Sequence, residues 1–292
     1  MKFGGVSLDG AERMYAVADI VTSFSEKSPV VVASAMKGVT DMLIASFDSL
    51  TASDIHEYQN KIRSIINIHK NVARNLKLSS GEQIKLTRSI DKLGRQLNNY
   101  KYDKSVSSNE ARDFIISFGE QLCVLLLNQA LRKKGLKSLA MNAGDILVTS
   151  DKFGNAKPDM QMTRVNVSKK LLPLIKNNYI PVITGFFGKT KNGKIATLGR
   201  GGSDYSASIL ANVCNARELI VWKEVNGVYT EDPKKNPAAV FLAELTYEKA
   251  TELARAGAKV LHPESMEPVR IKKIPVRVKN VFNPVFAGSL IY

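Results

Sequence analysis

Apolar positions along the chain follow two periods. Short β-branched runs bounded by turn residues predict strands over 29–33, 136–141, 180–184, 218–222 and 275–281, with a further short one at 1–3. Apolar residues recurring at three and four predict helices over 9–24, 39–50, 109–131, 165–175, 203–213, 247–256 and 263–272. The stretch 55–97 reads as one or two long helices, broken near Ser79-Ser80-Gly81. Residues 187–197, centred on Asn192-Gly193, read as a hairpin. Strands alternating with helices make this an α/β fold, with a mainly parallel central sheet covered on both faces. Ligands of such sheets sit beyond the carboxyl ends of the strands. Gly4-Gly5, Gly38, Gly185 and Gly227 each follow a predicted strand and are placed to line that rim.

Composition narrows the picture. The chain has 292 residues, 44% of them hydrophobic, enough for a sizeable core in one large domain or two smaller ones. No apolar run is expected to reach membrane-spanning length and no secretory signal is visible, so a cytoplasmic location without membrane contact is expected. Cys123 and Cys214 lack metal-type spacing and read as reduced thiols in apolar stretches, and the three histidines form no cluster. The net charge is +15, with lysines and arginines crowding 61–104. Without aromatic interleaving or a binding motif, that segment reads as a solvated helical face. No nucleic-acid partner is expected, and the positive field suits an anionic small molecule.

Candidate chemistry gathers in two glycine-rich turns. Residues 197–204 read TLGRGGSD and run directly into an apolar stretch. Gly199, Gly201 and Gly202 allow a tight turn and close backbone approach. Ser203 is expected to cap the helix that follows, whose N-terminus would offer amides and a positive dipole end to an anion. Arg200, inside the turn, could take a carboxylate or phosphate in two parallel hydrogen bonds. The chain opens with a similar layout: a strand, Gly4-Gly5, Ser7, then a helix, with Lys2 beside the turn. Neither the P-loop pattern nor G-x-G-x-x-G is present. Two such turns, each with a cation, point to a nucleotide or another polyanion.

Taken with further segments, these turns resemble the amino acid kinase family and, within it, the aspartokinase catalytic domain. KFGGVS (2–7), VVASAMKGVTDML (31–43), ISFGEQL (116–122), LVTSDKFGNA (147–156), PVITGFFG (181–188), TLGRGGSDYSA (197–207), VWKEVNGVYTEDP (221–233), GAKVLHPESMEP (257–268) and VFNPVFAGSLI (281–291) follow the family's blocks in order. The resemblance implies a three-layer α/β/α sandwich. Its amino-acid-binding lobe would span about 1–195, with 55–105 as an elaboration, and its nucleotide-binding lobe about 196–292. Aspartokinases usually continue into ACT regulatory domains, which are not expected in a chain ending at residue 292. A homodimer is expected by analogy.

The implied reaction transfers the ATP γ-phosphoryl group to the side-chain carboxylate of L-aspartate, the first step towards lysine, threonine and methionine. A carboxylate is already ionised at neutral pH, so positioning and charge neutralisation suffice. By the resemblance, Lys2 would neutralise the phosphates and Asp204 would orient Lys2. Arg200 would hold the substrate α-carboxylate and Glu120 its α-ammonium, with Ser34, Thr40, Gly201 and Ser203 nearby. Gly4, Gly5 and Ser7 would donate to the transferring group. Lys223, Glu224, Val228, Tyr229, Asp232 and Lys259 would contact the nucleotide, although a packed loop aromatic fits Tyr229 equally well and packing or capping fits His262 better than catalysis. No protein-held metal is expected, and Mg²⁺ would arrive with ATP on phosphates and waters. The chain departs from the family at Val6 (threonine there), at Lys223-Glu224 (Thr-Asp), at Asn226 (aspartate) and at Ala256 (an aromatic). Two alternatives follow: a kinase of another amino acid such as homoserine, whose hydroxyl would need a base, and a non-catalytic effector-binding homologue.

Overall fold

The computed structural model describes residues 1–102, 107–233, 235–257 and 261–292, with backbone alone at 101 and 102. Strand β1 (Lys2–Phe3) passes through a 3₁₀ turn (Gly5–Leu8) into helix α1 (Ala11–Thr22). Then come β2 (Val31–Ala33), α2 (Val39–Thr51), α3 (Ile55–Asn75), α4 (Ser80–Tyr102), α5 (Ser108–Ile116) and α6 (Phe118–Lys133). The middle of the chain holds β3 (Ser138–Met141), β4 (Val148–Thr149), α7 (Met160–Asn166), α8 (Leu172–Lys176), β5 (Ile180–Thr184), β6 (Phe187–Thr190) and β7 (Ile195–Thr197). Last come α9 (Gly202–Val213), β8 (Leu219–Lys223), β9 (Val228–Tyr229), β10 (Phe241–Leu242), β11 (Glu244–Leu245), α10 (Tyr247–Arg255), α11 (Pro263–Ile271), β12 (Val276–Asn280) and β13 (Ser289–Ile291).

Eight strands form the central sheet in the order β11-β13-β12-β8-β1-β2-β5-β3. Every neighbouring pair is parallel except β12 with β13. Side chains alternate across this sheet, and the two faces carry different cores. Phe3, Val31, Ala33, Val182, Ile220 and Trp222 pack with α1 to α6. Val32, Ile183, Val221 and Val278 pack with α9, α10, α11 and Leu171. The result is the three-layer α/β/α sandwich. Phe3 and Trp222, on adjacent strands, stack at 5.9 Å with planes 3° apart. A small sheet of β4, β6 and β7 lies to one side, with β6 and β7 forming the expected hairpin.

Several elements differ from their predicted form. The helix expected over 109–131 is two, α5 and α6, meeting at Ser117, which stays right-handed helical (φ −62°, ψ −18°). The hydrophobic period therefore runs through the junction unbroken. Read as one stretch, Ser108–Lys133 is long and apolar enough to span a membrane, with mean hydropathy 1.5, against the expectation that no run would be. Its apolar window is 83% buried inside the protein, as a core helix is. The helix expected over 165–175 begins earlier, at Met160, where Asp159 accepts the Met162 N–H at 3.0 Å. A π turn (Val167–Leu171) precedes Pro173, which has no N–H to give to the turn before it. Strand β13 was not predicted, nor were β4, β9, β10 and β11, none of which exceeds three residues.

Candidate active site

The site forms at the carboxyl ends of β1, β2, β5 and β8. Lys2 pairs in register with Val221, so it points to the same face as Val221 and Lys223, the face covered by α9. Asp204 lies in the first turn of α9, directly above. Its Oδ1 is 2.6 Å from the Lys2 ammonium and its Oδ2 3.3 Å from that of Lys223. Lys2 and Asp204 are buried. Burial pushes the Asp204 carboxyl upward, but the two ammonium groups outweigh it and bring its pKa down to about 2. For Lys2, burial outweighs Asp204, and the like charge of Lys223 adds to it, so its pKa is lowered. Two cations share one anion, which leaves a net positive cluster in a dry place.

The α9 turn owes its shape to Gly201, which occupies the N-cap in the left-handed region (φ 72°). Ser203 is therefore not the cap. It sits inside the first turn, and no side chain caps this helix. Among the described residues, the Ser203 and Asp204 amides have no backbone acceptor, while those of Gly202 and Tyr205 bond to Gly199 and Gly201. A Cβ at Gly201 would stand 2.8 Å from that of His262, so His262 packs behind the turn. Arg200 is exposed at the mouth and makes no hydrogen bond or ion pair among the described residues. Across the rim, a Cβ on Gly5 would meet the Ala35 carbonyl at 2.7 Å, so the opening turn lies directly on the segment after β2. The Ser7 amide closes this turn onto the Gly4 carbonyl at 3.0 Å. The Lys2 ammonium would stand 3.6 Å from a Cβ on Gly4.

Glu120 enters from the opposite face, in the first turn of α6. Gly119 lets that turn lie against Ala35 and Val39, since its Cβ would meet Ala35 Cβ at 2.8 Å. Ala35 donates its N–H to Glu120 Oε1 at 3.0 Å. Ser34 follows β2 and donates its N–H to Phe3, and Thr40 lies in the first turn of α2 behind Gly38. Glu120 Oε2 is buried without a hydrogen-bond partner. Burial raises the Glu120 pKa to about 8, with the Ala35 amide and the Lys2 charge pulling the other way. An orphaned, buried carboxylate oxygen is a ready seat for a cationic ligand group.

The amino acid kinase family profile matches residues 1–280. The chain belongs to the amino acid kinase family. Aspartokinase 2, chloroplastic, of Arabidopsis thaliana is 38% identical to it over all of this chain and 54% of that protein. The aspartokinase of Saccharomyces cerevisiae is 36% identical over 100% and 58%. The crystal structure of Escherichia coli aspartokinase III in complex with aspartate and ADP superposes with a TM-score of 0.92 at 32% identity, covering 99% of this chain and 63% of that one. The chain thus spans little more than half the length of the curated relatives it matches.

Other expected residues of this family member have mixed placements. Glu224 is half-buried after β8. Val228 is buried and donates its N–H to Ser289 at 2.8 Å, which places it in the packing beneath the loop. Gly227 also backs onto Ser289 and Phe241. Tyr229 packs edge-on against Phe241 at 5.6 Å. Asp232 is buried and its carbonyl accepts the amides of Lys235 and Asn236. Lys259 lies outside the described residues. The departure at Asn226 has a partner, Asn280, which donates to it at 2.9 Å. Sequence reasoning missed Asp113, a buried acceptor of three hydrogen bonds on α5. No local signal marks it, because its partners at Gly154 and Thr197 are distant in sequence. A concavity of about 680 Å³ lies at the other end of the sheet, lined by Val30, Leu210, Cys214 and Leu219 among others. Its lining includes Met1, Lys27 and Arg217, but it lies away from the carboxyl ends of the strands, where Lys2 and Lys223 meet Asp204.

Proposed function

We propose that this chain transfers the γ-phosphoryl group of ATP to the side-chain carboxylate of L-aspartate, giving 4-phospho-L-aspartate. The observation that carries this reading is the Lys2–Asp204–Lys223 cluster, set beside a buried Glu120 whose free oxygen awaits a cation. Glu120 takes the substrate ammonium and Arg200 its α-carboxylate. Ser34, Thr40, Gly201 and Ser203 complete the amino-acid site. Lys2 and Lys223 neutralise the phosphates, and Gly4, Gly5 and Ser7 donate to the transferring group. Residues 196–292 supply most of the nucleotide contacts, with Glu224, Tyr229, Asp232 and Lys259 at the loops, and residues 1–195 most of the amino-acid site. Asp204 is already engaged by two lysines, so Mg²⁺ accompanying ATP takes its ligands from phosphates and water. Among the described residues no three His, Cys, Asp or Glu side chains gather as a metal site. A homodimer in the cytoplasm belongs to the same proposal.

The choice of acceptor rests on Asp204. A hydroxyl acceptor such as homoserine needs a base, and an Asp204 held near pKa 2 by two ammonium groups is a poor one. A carboxylate acceptor needs none. The test is ADP release measured with L-aspartate, L-homoserine and L-glutamate under identical conditions. Aspartate is expected to give the highest kcat/KM, and a preference for homoserine or glutamate would overturn the assignment.

A further inference from the structure

Asp113 lies 84 residues from Thr197 in sequence and is 1% exposed. Its Oδ2 accepts the N–H of Gly154 at 2.7 Å and that of Thr197 at 2.7 Å, and its Oδ1 accepts the Thr197 hydroxyl at 2.8 Å. It forms no ion pair among the described residues, so three donors alone hold this carboxylate in the core. Each donor belongs to a segment that shapes the Arg200 turn. Thr197 ends β7, three residues before Arg200, and its carbonyl accepts the Ala156 N–H at 2.8 Å. The floor of the turn is the 154–155 segment: Gly154 O and Asn155 Oδ1 stand 3.2 Å from where a Cβ on Gly199 would lie. In the other direction Asp113 leads through Ser117, whose N–H returns to the Asp113 carbonyl, into the first turn of α6 and Glu120.

The two groups placed to grip opposite ends of an α-amino acid therefore hang from one side chain. We infer that Asp113 is a positioning residue that fixes the span between Glu120 and Arg200, and with it the fit of the site to an α-ammonium and an α-carboxylate. This rests on the function proposed above. Asparagine in its place would keep an oxygen for the two N–H groups and turn an –NH₂ to the Thr197 hydroxyl, so the charge that strengthens all three contacts is lost and the brace slackens. The amino-acid end of the site would loosen, whereas the Lys2–Asp204–Lys223 cluster, which Asp113 does not touch, would keep its geometry. A side chain that served only to hold the fold would lower the active fraction and the thermal midpoint, and would leave the KM values alone.

The test is steady-state kinetics of the full chain with L-aspartate and ATP, alongside thermal midpoints, for wild type, Asp113→Asn and Thr197→Val. Asp113→Asn is expected to raise KM for aspartate about tenfold and KM for ATP less than about twofold, since a small misplacement of a binding group acts on the ligand it positions. Thr197→Val removes one donor and keeps the carboxylate, so a rise of about threefold in the aspartate KM is expected, and it serves as the measurement if Asp113→Asn does not fold. An unchanged aspartate KM in the folded variants, or an equal rise for both substrates, overturns the inference while the wild type still turns over. A wild type that phosphorylates no amino acid overturns the functional reading beneath it and this inference as well.

Discussion

Two buried carboxylates act on Lys2 from opposite layers, and their surroundings move them in opposite directions. Asp204 has two ammonium groups within 3.3 Å and is held at a pKa of about 2. Glu120 has one backbone amide and an unpartnered oxygen, and burial raises it to about 8. Burial penalises both charges, and what differs is how much compensation the fold itself provides. Asp204 finds its cations within the chain, whereas Glu120 Oε2 does not, and in the proposed function the substrate ammonium supplies one. A site that keeps one anion permanently paired and leaves the other short of a cation suits a zwitterion lying beside a polyphosphate.

The most disruptive way to break this contrast is Asp204→Asn. It leaves the buried Lys2 ammonium and Lys223 beside one another with no carboxylate between them. Removing one partner of a buried ion pair costs about 3 to 5 kcal/mol. Turnover is expected to fall at least about a hundredfold, as it does when preorganised charge stabilisation is lost, and the thermal midpoint to fall with it. The stability that Asp204 supplies is present above the ordinary carboxylate pKa and lost as pH falls towards 2, so the variant's deficit should shrink in acid. Near-normal ADP release would mean that the lysines do not depend on Asp204.

Glu120→Gln should have a smaller effect on rate and the opposite sign on stability. The substitution is isosteric and removes a charge that the fold disfavours. Because the Glu120 pKa is raised, the wild type loses stability as pH rises towards 8 and the variant does not, so its midpoint at alkaline pH should equal or exceed that of wild type. The amide turns a donor towards the substrate ammonium, so KM for the amino acid is expected to rise about tenfold or more, consistent with loss of a charge-assisted hydrogen bond. A variant that loses stability and keeps its KM would make Glu120 a structural acid.

The two carboxylates were also unequally legible in the sequence. Asp204 sits in a glycine-rich turn before an apolar helix, and that local signal, with Lys2 beside a second such turn, points to a polyanion, while the pairing of the two residues rests on the resemblance. Glu120 lies inside a helical pattern where an acid reads as a solvated face, and only the resemblance to a family raised it. Asp113 had neither aid. It looks like a surface acid until the loops at Gly154 and Thr197, distant in sequence, fold onto it. Serine favours the N-cap and Ser203 fits it by type, but Gly201 takes that position with φ 72°. The helix junction at Ser117 escaped notice for a related reason: a residue that stays helical leaves the hydrophobic period intact. Period, glycines and caps are local, and they reported the sheet, most helices and the phosphate-facing turns. Strands of two or three residues and buried acceptors depend on long-range partners that no window of the sequence contains.

The mildest perturbation, a change of pH alone, isolates Glu120 in the wild type. With a pKa of about 8, Glu120 is mostly protonated at pH 7 in the free protein. A bound ammonium favours the ionised form, so amino-acid binding must release a proton, and affinity must rise with pH until the carboxyl has ionised. Calorimetric titration with L-aspartate at pH 7, in two buffers of different ionisation enthalpy, is expected to give release of close to one proton. The apparent affinity should increase nearly tenfold per pH unit below the Glu120 pKa, roughly fiftyfold between about pH 6 and 8, and flatten above it. Asp204 contributes nothing to this window because it is ionised throughout. Glu120→Gln should abolish both the proton release and the slope. If the slope survives in that variant, the proton comes from elsewhere, and Glu120 is not the group that meets the ammonium.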